Sequence, residues 1–204
     1  MSVCHIVGAG DFTAVPVKNE GDIIVAADGG YEHLKNAGIT PDVCIGDFDS
    51  LGYVPSGENV IKLPVEKDDT DIIAASRWAR DNGYNEIYLY GVLGGSRFSH
   101  SLASIQTLLF IDSLGMKGRI IGDNSVITVL SNDKIEIPKM EKGDVSVFSM
   151  TESSIVSLKG LKYLLDEYEI KNTFPLGASN SFIGEKAEIS VHKGTCIIVF
   201  ENFK

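Results

Sequence analysis

Aspartates are concentrated in two short runs of this sequence, and each run follows a short apolar stretch. Residues 46–50 read Gly-Asp-Phe-Asp-Ser, residues 68–71 read Asp-Asp-Thr-Asp, and Asp28 lies upstream of both. Carboxylates that fold close together repel one another unless a cation lies between them. The two runs therefore predict a divalent metal site, and the pattern favours a metal–phosphate site in particular.

The first acidic run lies where a strand is expected to end. Residues 42–45 are predicted to form that strand, and the carboxyl ends of strands are where open α/β sheets bind their ligands. In an extended segment the side chains of residues i and i+2 lie on the same side, so Asp47 and Asp49 can point together while Phe48 packs elsewhere. A polar loop closed by an Asx-turn is the alternative interpretation.

The second acidic run, residues 68–71, lies at the start of a predicted helix over residues 69–81. Acidic side chains stabilise a helix N-terminus through the helix dipole and through capping, which accounts for one or two of these residues. Asp68 or Asp69 is the expected cap, with Thr70 a weaker candidate. Asp71 is the residue of this run that we expect to bind metal.

A glycine-rich segment at residues 91–100 separates a predicted strand from a predicted helix. A turn of this kind can present backbone N–H groups to a phosphate, and Arg97 adds a fork-shaped donor for phosphoryl oxygens. The segment matches neither the Walker loop nor the dinucleotide fingerprint. The turn of Gly8 and Gly10 is either a second nucleotide contact or a point of close backbone packing, and His100 is either an acid/base group or a structural residue.

The distribution of apolar runs predicts two domains. Up to residue 130 short continuous apolar runs alternate with helical patterns, which is typical of an α/β domain with a mostly parallel sheet. From residue 131 to 204 the pattern is β-rich with weak helical periodicity, which predicts a smaller all-β sandwich. The predicted strands are 2–7, 23–27, 42–45, 60–63, 86–90, 118–121, 134–137, 144–149, 154–158, 187–192 and 196–200, the predicted helices are 30–37, 69–81 and 99–113, and residues 161–167 are ambiguous.

Composition excludes some classes of partner. A net charge of −10 argues against binding to nucleic acid or to an anionic membrane, and no apolar run reaches the length of about 18 residues that a membrane span needs. Cys4, Cys44 and Cys196 lie far apart without metal-ligand spacing, so we expect buried structural thiols in a reducing compartment. We therefore expect a cytoplasmic protein.

Taken in order, these motifs resemble those of the thiamine pyrophosphokinase family over nearly the whole chain. The resemblance includes the segments 27–30, 38–42, 46–50, 67–71, 94–100, 160–163 and 177–180. It implies an N-terminal α/β domain that binds nucleotide and Mg²⁺, and a C-terminal β-sandwich that binds thiamine and forms a homodimer with sites between subunits. The implied reaction transfers the pyrophosphoryl group of ATP to thiamine and releases AMP.

The resemblance also implies roles for individual residues. Asp28, Asp47, Asp49 and Asp71 would hold Mg²⁺ and the phosphates, and Arg97 would act with the last three in catalysis. The residues implied in binding ATP are Asp28, Gly29, Thr70, Gly94, Gly95 and Arg97. The residues implied in binding thiamine are Asp68, Ser99, His100, Ser179 and Asn180.

The sequence departs from the family pattern in the glycine-rich turn and near the second domain's Ser-Asn pair. Ser96 is added before Arg97, Ser99 stands where an aspartate is expected, and Ser181 stands where a glutamate is common. Two alternatives to an active kinase follow. One is a thiamine- or nucleotide-binding module with weakened catalysis, and the other is a haloacid-dehalogenase-type phosphatase, whose nucleophile motif the Asp47-Phe48-Asp49 sequence mimics.

Overall fold

The computed structural model describes residues 2–57, 59–66 and 68–203, which fold into two compact units. The first unit extends to Asp123 and the second begins at Asn124. The predicted boundary between residues 130 and 131 falls inside strand β7 (Ser125–Ser131), which the sequence analysis did not predict. This strand pairs along its whole length with the last strand of the second unit, and it therefore belongs there.

The first unit is built on a sheet of parallel strands. Its elements in chain order are β1 (Val3–Val7), β2 (Ile23–Ala27), α1 (Gly30–Asn36), β3 (Val43–Gly46), β4 (Val60–Lys62), α2 (Asp71–Asp81), β5 (Glu86–Tyr90), α3 (Phe98–Ser113) and β6 (Lys117–Ile121). Strands β1 and β3 are buried at every residue, which explains why they read as continuous apolar runs. The predicted α/β domain is confirmed.

The order of strands across this sheet reverses beside β1. The order is β6-β5-β1-β2-β3-β4, so the chain moves in one direction from β1 to β4 and then returns to place β5 on the other side of β1. Parallel register aligns Val7 of β1 with both Ala26 and Tyr90. The carboxyl ends of β1, β2 and β5 therefore meet at one edge, where such sheets leave a ligand crevice.

Two glycines allow the backbone to close tightly at this edge. A Cβ atom at Gly30 would lie 1.9 Å from the carbonyl oxygen of Val7, so α1 can start here only without a side chain. A Cβ atom at Gly46 would lie 3.0 Å from the Cα of Asp28. Both contacts bring the ends of β1, β2 and β3 close together, because a bulkier residue would separate them.

The second unit is an antiparallel sandwich, as predicted. One sheet has the order β12-β9-β14-β7 and the other β11-β10-β13-β8. The strands are β7, β8 (Lys134–Ile137), β9 (Asp144–Ser149), β10 (Ser153–Lys159), β11 (Leu165–Lys171), β12 (Asn180–Ser181), β13 (Ala187–Lys193) and β14 (Thr195–Glu201). Buried side chains of both sheets, such as Val147 and Ile198 from the first and Val156 and Ile189 from the second, form one core.

Two local predictions need correction. Helix α2 begins at Asp71 rather than at residue 69, and Thr70 is its cap, because the Thr70 hydroxyl accepts a hydrogen bond from the Ile73 N–H at 3.3 Å. The ambiguous segment 161–167 is not a helix. Its second half enters β11, an edge strand with mostly exposed side chains, which is why neither a helical nor a strict strand period is visible in the sequence.

The three cysteines agree with the prediction of buried structural thiols. Cys4, Cys44 and Cys196 are free thiols and are buried. Burial raises the pKa of Cys4 to about 12 and that of Cys44 to about 11, so both remain protonated. Within the described residues, no helix has the length and apolar character needed to cross a bilayer.

A buried carboxylate connects the start of β1 to the start of β2. Asp22 accepts hydrogen bonds from the Val3 N–H at 2.7 Å and from the Asn19 N–H at 2.9 Å, and His5 lies 3.4 Å away. Burial alone would raise the pKa of Asp22, but these hydrogen bonds outweigh it and lower the pKa to about 2. The charged form is therefore the one that stabilises the fold.

We predict that Asp22→Asn lowers the free energy of unfolding at pH 7 by about 1–3 kcal/mol, because one backbone donor loses its acceptor. The folded pKa of Asp22 lies below the unfolded value, so its contribution is present above the ordinary pKa of 3.8 and is lost as pH falls toward 2. Urea unfolding between pH 7 and pH 3 measures this. The acid loss should be shallower in Asp22→Asn than in wild type or in the exposed control Glu152→Gln. Parallel curves would contradict the assignment.

Candidate active site

Asp28 directly follows β2 and has the features of a metal ligand. Its backbone N–H donates to the carbonyl oxygen of Ile45 at 2.9 Å, and the Ser50 hydroxyl donates to its Oδ2 at 2.7 Å. Its φ of 46° is in the left-handed region, which costs a residue other than glycine roughly 1 kcal/mol or more. Its Oδ1 is buried and accepts no hydrogen bond from the described residues, so a cation would satisfy it.

Asp47 and Asp49 directly follow β3, as the strand-end argument predicted, and they lie beside Asp28, as the resemblance implied. One carboxylate oxygen of each of the three residues falls within 4.8 Å of the others. Phe48 between the two acids is 2% exposed and has a φ of 61°, so it points into the core while the flanking carboxylates remain at the edge. Octahedral Mg²⁺ needs ligand oxygens about 3–4 Å apart, so these three carboxylates are a group that could hold a divalent cation.

The Asx-turn that was the alternative for this segment is also present. The Asp49 N–H donates to Oδ1 of Asp47 at 3.2 Å. This bond uses one oxygen of Asp47, and the remaining acceptor capacity of the two carboxylates is ample for a shared cation. The turn and the metal site are therefore compatible, since the turn fixes the distance between the two acids.

The residues of the second acidic run have separate positions. Asp71 is the first residue of α2 and lies outside the three-carboxylate group. Asp69 pairs with Arg77 at 2.9 Å, and Asp68 is exposed. The hydroxyl of Thr70 is used as the helix cap. Lys67, part of the resembling segment, lies outside the described residues.

The glycine-rich turn after β5 is held by two hydrogen bonds that the sequence did not reveal. The Gly94 N–H donates to the Ser101 hydroxyl at 3.0 Å, and the Gly95 N–H donates to Oδ1 of Asp11 at 3.1 Å. Both glycines have positive φ, 71° and 75°. The turn borders a cavity of about 160 Å³, which is also lined by Gly8, Gly10, Arg97 and His100.

Close backbone packing explains the Gly8 and Gly10 turn. The Gly10 N–H donates to Gly91 at 2.6 Å, and the Asp11 N–H donates to Leu93 at 2.8 Å, so the loops after β1 and β5 continue the pairing of their strands. A Cβ atom at Gly10 would lie 2.6 Å from the carbonyl oxygen of Leu93. The turn also borders the cavity, and its contact with a nucleotide stays a prediction.

The polar residues at the start of α3 are exposed. Arg97 immediately precedes the helix, Ser99 and His100 lie in its first turn, and all three are exposed. The His100 N–H donates to the carbonyl oxygen of Arg97 at 3.0 Å. Arg97 and His100 border the cavity, and an exposed guanidinium in this position can reach a phosphate.

The predicted substrate residues of the second unit differ in their environment. Ser179 is exposed and has a φ of 58°, and its N–H donates to the Ser146 hydroxyl at 3.0 Å. Asn180 is buried, and its amide both donates to the carbonyl oxygen of Tyr163 at 2.6 Å and accepts from the Tyr163 N–H at 2.9 Å. Asn180 therefore fixes the Tyr163 loop beside an apolar cavity of about 300 Å³.

Sequence reasoning missed Asp11 and the role of Ser50. Asp11 follows the Gly8 and Gly10 turn, for which the sequence suggests only backbone roles. No sequence pattern indicates that the Asp11 side chain contacts the glycine-rich turn, more than eighty residues later in the chain. Ser50 directly follows the predicted acidic pair, and a hydroxyl in that position could have been predicted to donate a hydrogen bond to a nearby carboxylate. Gly29, which the resemblance implies in ATP binding, is a close-packed position, since a Cβ atom there would lie 2.9 Å from that of Ala9. Its contact with ATP stays a prediction.

Two family models match the chain. Residues 16–120 match the model described as thiamin pyrophosphokinase, catalytic domain. Residues 132–196 match the model described as thiamin pyrophosphokinase, vitamin B1 binding domain. The gap between the two matches contains the division between the two compact units.

Relatives and solved structures agree with the family models. The chain is 29% identical over 211 residues to a thiamine pyrophosphokinase of Bacillus subtilis, covering 98% of both chains. A crystal structure of thiamine pyrophosphokinase from Bacillus subtilis aligns with a TM-score of 0.87 at 27% identity, over 98% of this chain and 99% of that one. The structure of the thiamin pyrophosphokinase of Geobacillus thermodenitrificans aligns with a TM-score of 0.84 at 26% identity, over 98% and 97%.

We predict that Asp49→Asn raises the melting temperature without Mg²⁺ and reduces the increase in melting temperature that Mg²⁺ produces. Without metal it should raise stability by about 0.5 kcal/mol, because it removes repulsion at an exposed site. With saturating Mg²⁺ the wild type should gain more stability than the variant, because the variant loses a ligand. Thermal unfolding with a Mg²⁺ titration measures both effects, and Glu152→Gln is the control of equal charge change. Equal metal-induced shifts in wild type and Asp49→Asn would contradict the site.

Proposed function

Because the chain belongs to the thiamine pyrophosphokinase family, we propose that it transfers the pyrophosphoryl group of ATP to the hydroxyl of thiamine, giving thiamine diphosphate and AMP. One observation carries this proposal. The three-carboxylate group at the ends of β2 and β3 lies at the same sheet edge as the glycine turn after β5, which brings Arg97 to that edge. A metal–polyphosphate complex needs both kinds of group.

The carboxylates are proposed to hold Mg²⁺ on the ATP phosphates. The ion would neutralise negative charge on the phosphates, a large part of catalysis in phosphoryl transfer. Asp28 would contribute its buried Oδ1, with Oδ2 fixed by Ser50, and Asp47 and Asp49 would contribute from the turn that spaces them. Asp71 is proposed as a further ligand that approaches from the N-terminus of α2.

The phosphate chain is proposed to lie along the glycine-rich turn, with Arg97 as its cationic contact. Gly29, Thr70, Gly94 and Gly95 complete the proposed ATP-binding set. Arg97 suits the role because its charge is permanent and its fork of donors matches phosphoryl oxygens. Catalysis of this kind depends on positioning the phosphates and the attacking hydroxyl, so a strong general base is not required.

Thiamine is proposed to bind between two subunits, in contact with the first unit of one subunit and the second unit of its partner. Asp68, Ser99 and His100 are the proposed contacts in the first unit, and Ser179 and Asn180 in the second. The apolar cavity beside Asn180, which Leu158, Tyr163 and Leu176 also line, supports this because it offers an apolar wall to an aromatic ring. A negatively charged site also favours the thiazolium cation of the substrate.

We propose a homodimer with active sites between subunits. The exposed apolar side chains of the second unit that support this are Tyr163, Leu164, Tyr168, Phe174 and Leu176, with exposed fractions of 43–66%. Several of them lie on or beside edge strand β11, whose outer edge has no neighbour among the described strands. A second copy of the chain would cover this surface. We also place the enzyme in the cytoplasm, since its buried thiols suit a reducing compartment.

Neither alternative function is favoured. A haloacid-dehalogenase-type phosphatase would have its acidic pair after the first strand, and here the pair follows β3. A binding module without catalysis remains an outcome that the assay below can detect, as thiamine and Mg-ATP binding without AMP formation.

We predict that the wild-type protein forms equimolar thiamine diphosphate and AMP from thiamine and Mg-ATP. Asp47→Asn and Asp71→Asn should each lower kcat/KM by about 100-fold or more, because each removes charge that positions the phosphates. Chromatographic separation of both products measures this, with Glu152→Gln as the control. Absence of both products from the wild type contradicts the proposed reaction, and full activity of Asp71→Asn contradicts its assignment alone.

We predict that Leu164→Lys converts the dimer to a monomer and lowers activity. A buried lysine in an apolar interface loses its hydration without gaining a partner. Light scattering after size-exclusion chromatography gives the mass of wild type and variant at equal concentration. Lys162→Ala changes an exposed neighbour of the same loop and should leave the mass unchanged. A wild-type protein that is monomeric at the assay concentration contradicts the proposal.

A further inference from the structure

Asp11 contacts the glycine turn through three separate groups. Its backbone N–H donates to the carbonyl oxygen of Leu93 at 2.8 Å, and its Oδ1 accepts from the Gly95 N–H at 3.1 Å. Its Oδ2 lies over Gly94 so closely that a Cβ atom there would be 2.0 Å from that oxygen. The carboxylate therefore occupies the space that any side chain at position 94 would need.

The turn is also held by a side chain of α3. The Ser101 hydroxyl, in α3, accepts a hydrogen bond from the Gly94 N–H at 3.0 Å. The two central amides of the turn are thus bonded to side chains of the chain itself rather than presented to a ligand. Two consecutive residues with positive φ have few local constraints of their own, so these bonds decide the shape of the turn.

We propose that Asp11 is a positioning residue for nucleotide binding, one that fixes the glycine turn so that Arg97 is presented to the phosphates. Arg97 is two residues beyond Gly95 and is the last residue before α3, so its backbone is set by the turn on one side and by the helix on the other. This inference rests on the proposed function. Within the proposed ATP-binding set, it assigns the direct anion contact of this segment to Arg97, and it gives Gly94 and Gly95 the role of shaping the turn that holds Arg97.

The charge of Asp11 is not what the turn requires. The bond from Gly95 needs only an acceptor oxygen, and an asparagine offers one in the same place. A carboxylate near bound phosphates would otherwise be unfavourable by repulsion. An acceptor role and an electrostatic role therefore predict different outcomes for alanine and asparagine at this position.

The test compares Asp11→Ala with Asp11→Asn in the full-length enzyme. Asp11→Ala should raise the KM for ATP and the Kd for Mg-ATP, measured calorimetrically, about tenfold, with little change in kcat or in the KM for thiamine. Asp11→Asn should remain within about twofold of wild type. Thr13→Ala is the matched control, because Thr13 lies in the same loop as Asp11 but its hydroxyl accepts a hydrogen bond from the Asp123 N–H at 3.2 Å rather than from the turn.

A double-mutant cycle with Arg97 tests how Asp11 acts. If it acts through Arg97, the double variant Asp11→Ala/Arg97→Ala binds Mg-ATP no more weakly than Arg97→Ala alone. Additive losses overturn the proposal, as does Asp11→Asn behaving like Asp11→Ala. Hydrogen exchange of the Gly95 amide can be measured without any ligand. The exchange should be faster in Asp11→Ala than in wild type, and an unchanged exchange rate also overturns the proposal. A wild type that binds no Mg-ATP contradicts the proposed function itself.

Discussion

The parallel pairing of β1 with both β2 and β5 is the constraint on which the site depends. It places Val7 level with Ala26 on one side and with Tyr90 on the other, so the chain leaves all three strands at the same edge. The backbone turns directly after β2 at Asp28, whereas the segments that follow β1 and β5 stay hydrogen-bonded to each other for a few residues more. Groups far apart in the sequence meet there because of this register, and a shift of one residue would turn the strands' side chains to the opposite face.

Carboxylate repulsion and backbone strain are both concentrated at this sheet edge, and local contacts offset them. Three carboxylates lie close together, and Asp28 and Phe48 both adopt left-handed backbone conformations. The burial of Phe48 and the hydrogen bond from Ser50 to Asp28 hold this arrangement in place. Strain and like charge are retained together here because the rest of the parallel sheet is apolar and tightly packed.

Much of the fold and part of the site followed from the sequence. Strands such as β2 and β5 have the predicted bounds, because a strand buried on both faces gives a continuous apolar run that ends sharply at polar residues. The two-residue period of extended backbone predicted that Asp47 and Asp49 point together, and they do lie close, but for a different reason. An Asx-turn with Phe48 in the left-handed region brings the two carboxylates together. Strands β7 and β11 were not recognised, since β7 mixes buried and half-buried residues and β11 is exposed at an edge. Asp11 was missed for a different reason, which is that its partner is brought near only by the register of β1 and β5.

The contact between Asp11 and Gly94 links two positions that are distant in the sequence. An oxygen of one residue fills the space of the missing Cβ of the other, so the two positions are not independent. A side chain at position 94 would displace the Asp11 carboxylate from the turn, in addition to the strain that a φ of 71° imposes on it. Among close relatives of this chain, the pair should therefore change together, and grafting either residue alone into a relative should be more damaging than exchanging both.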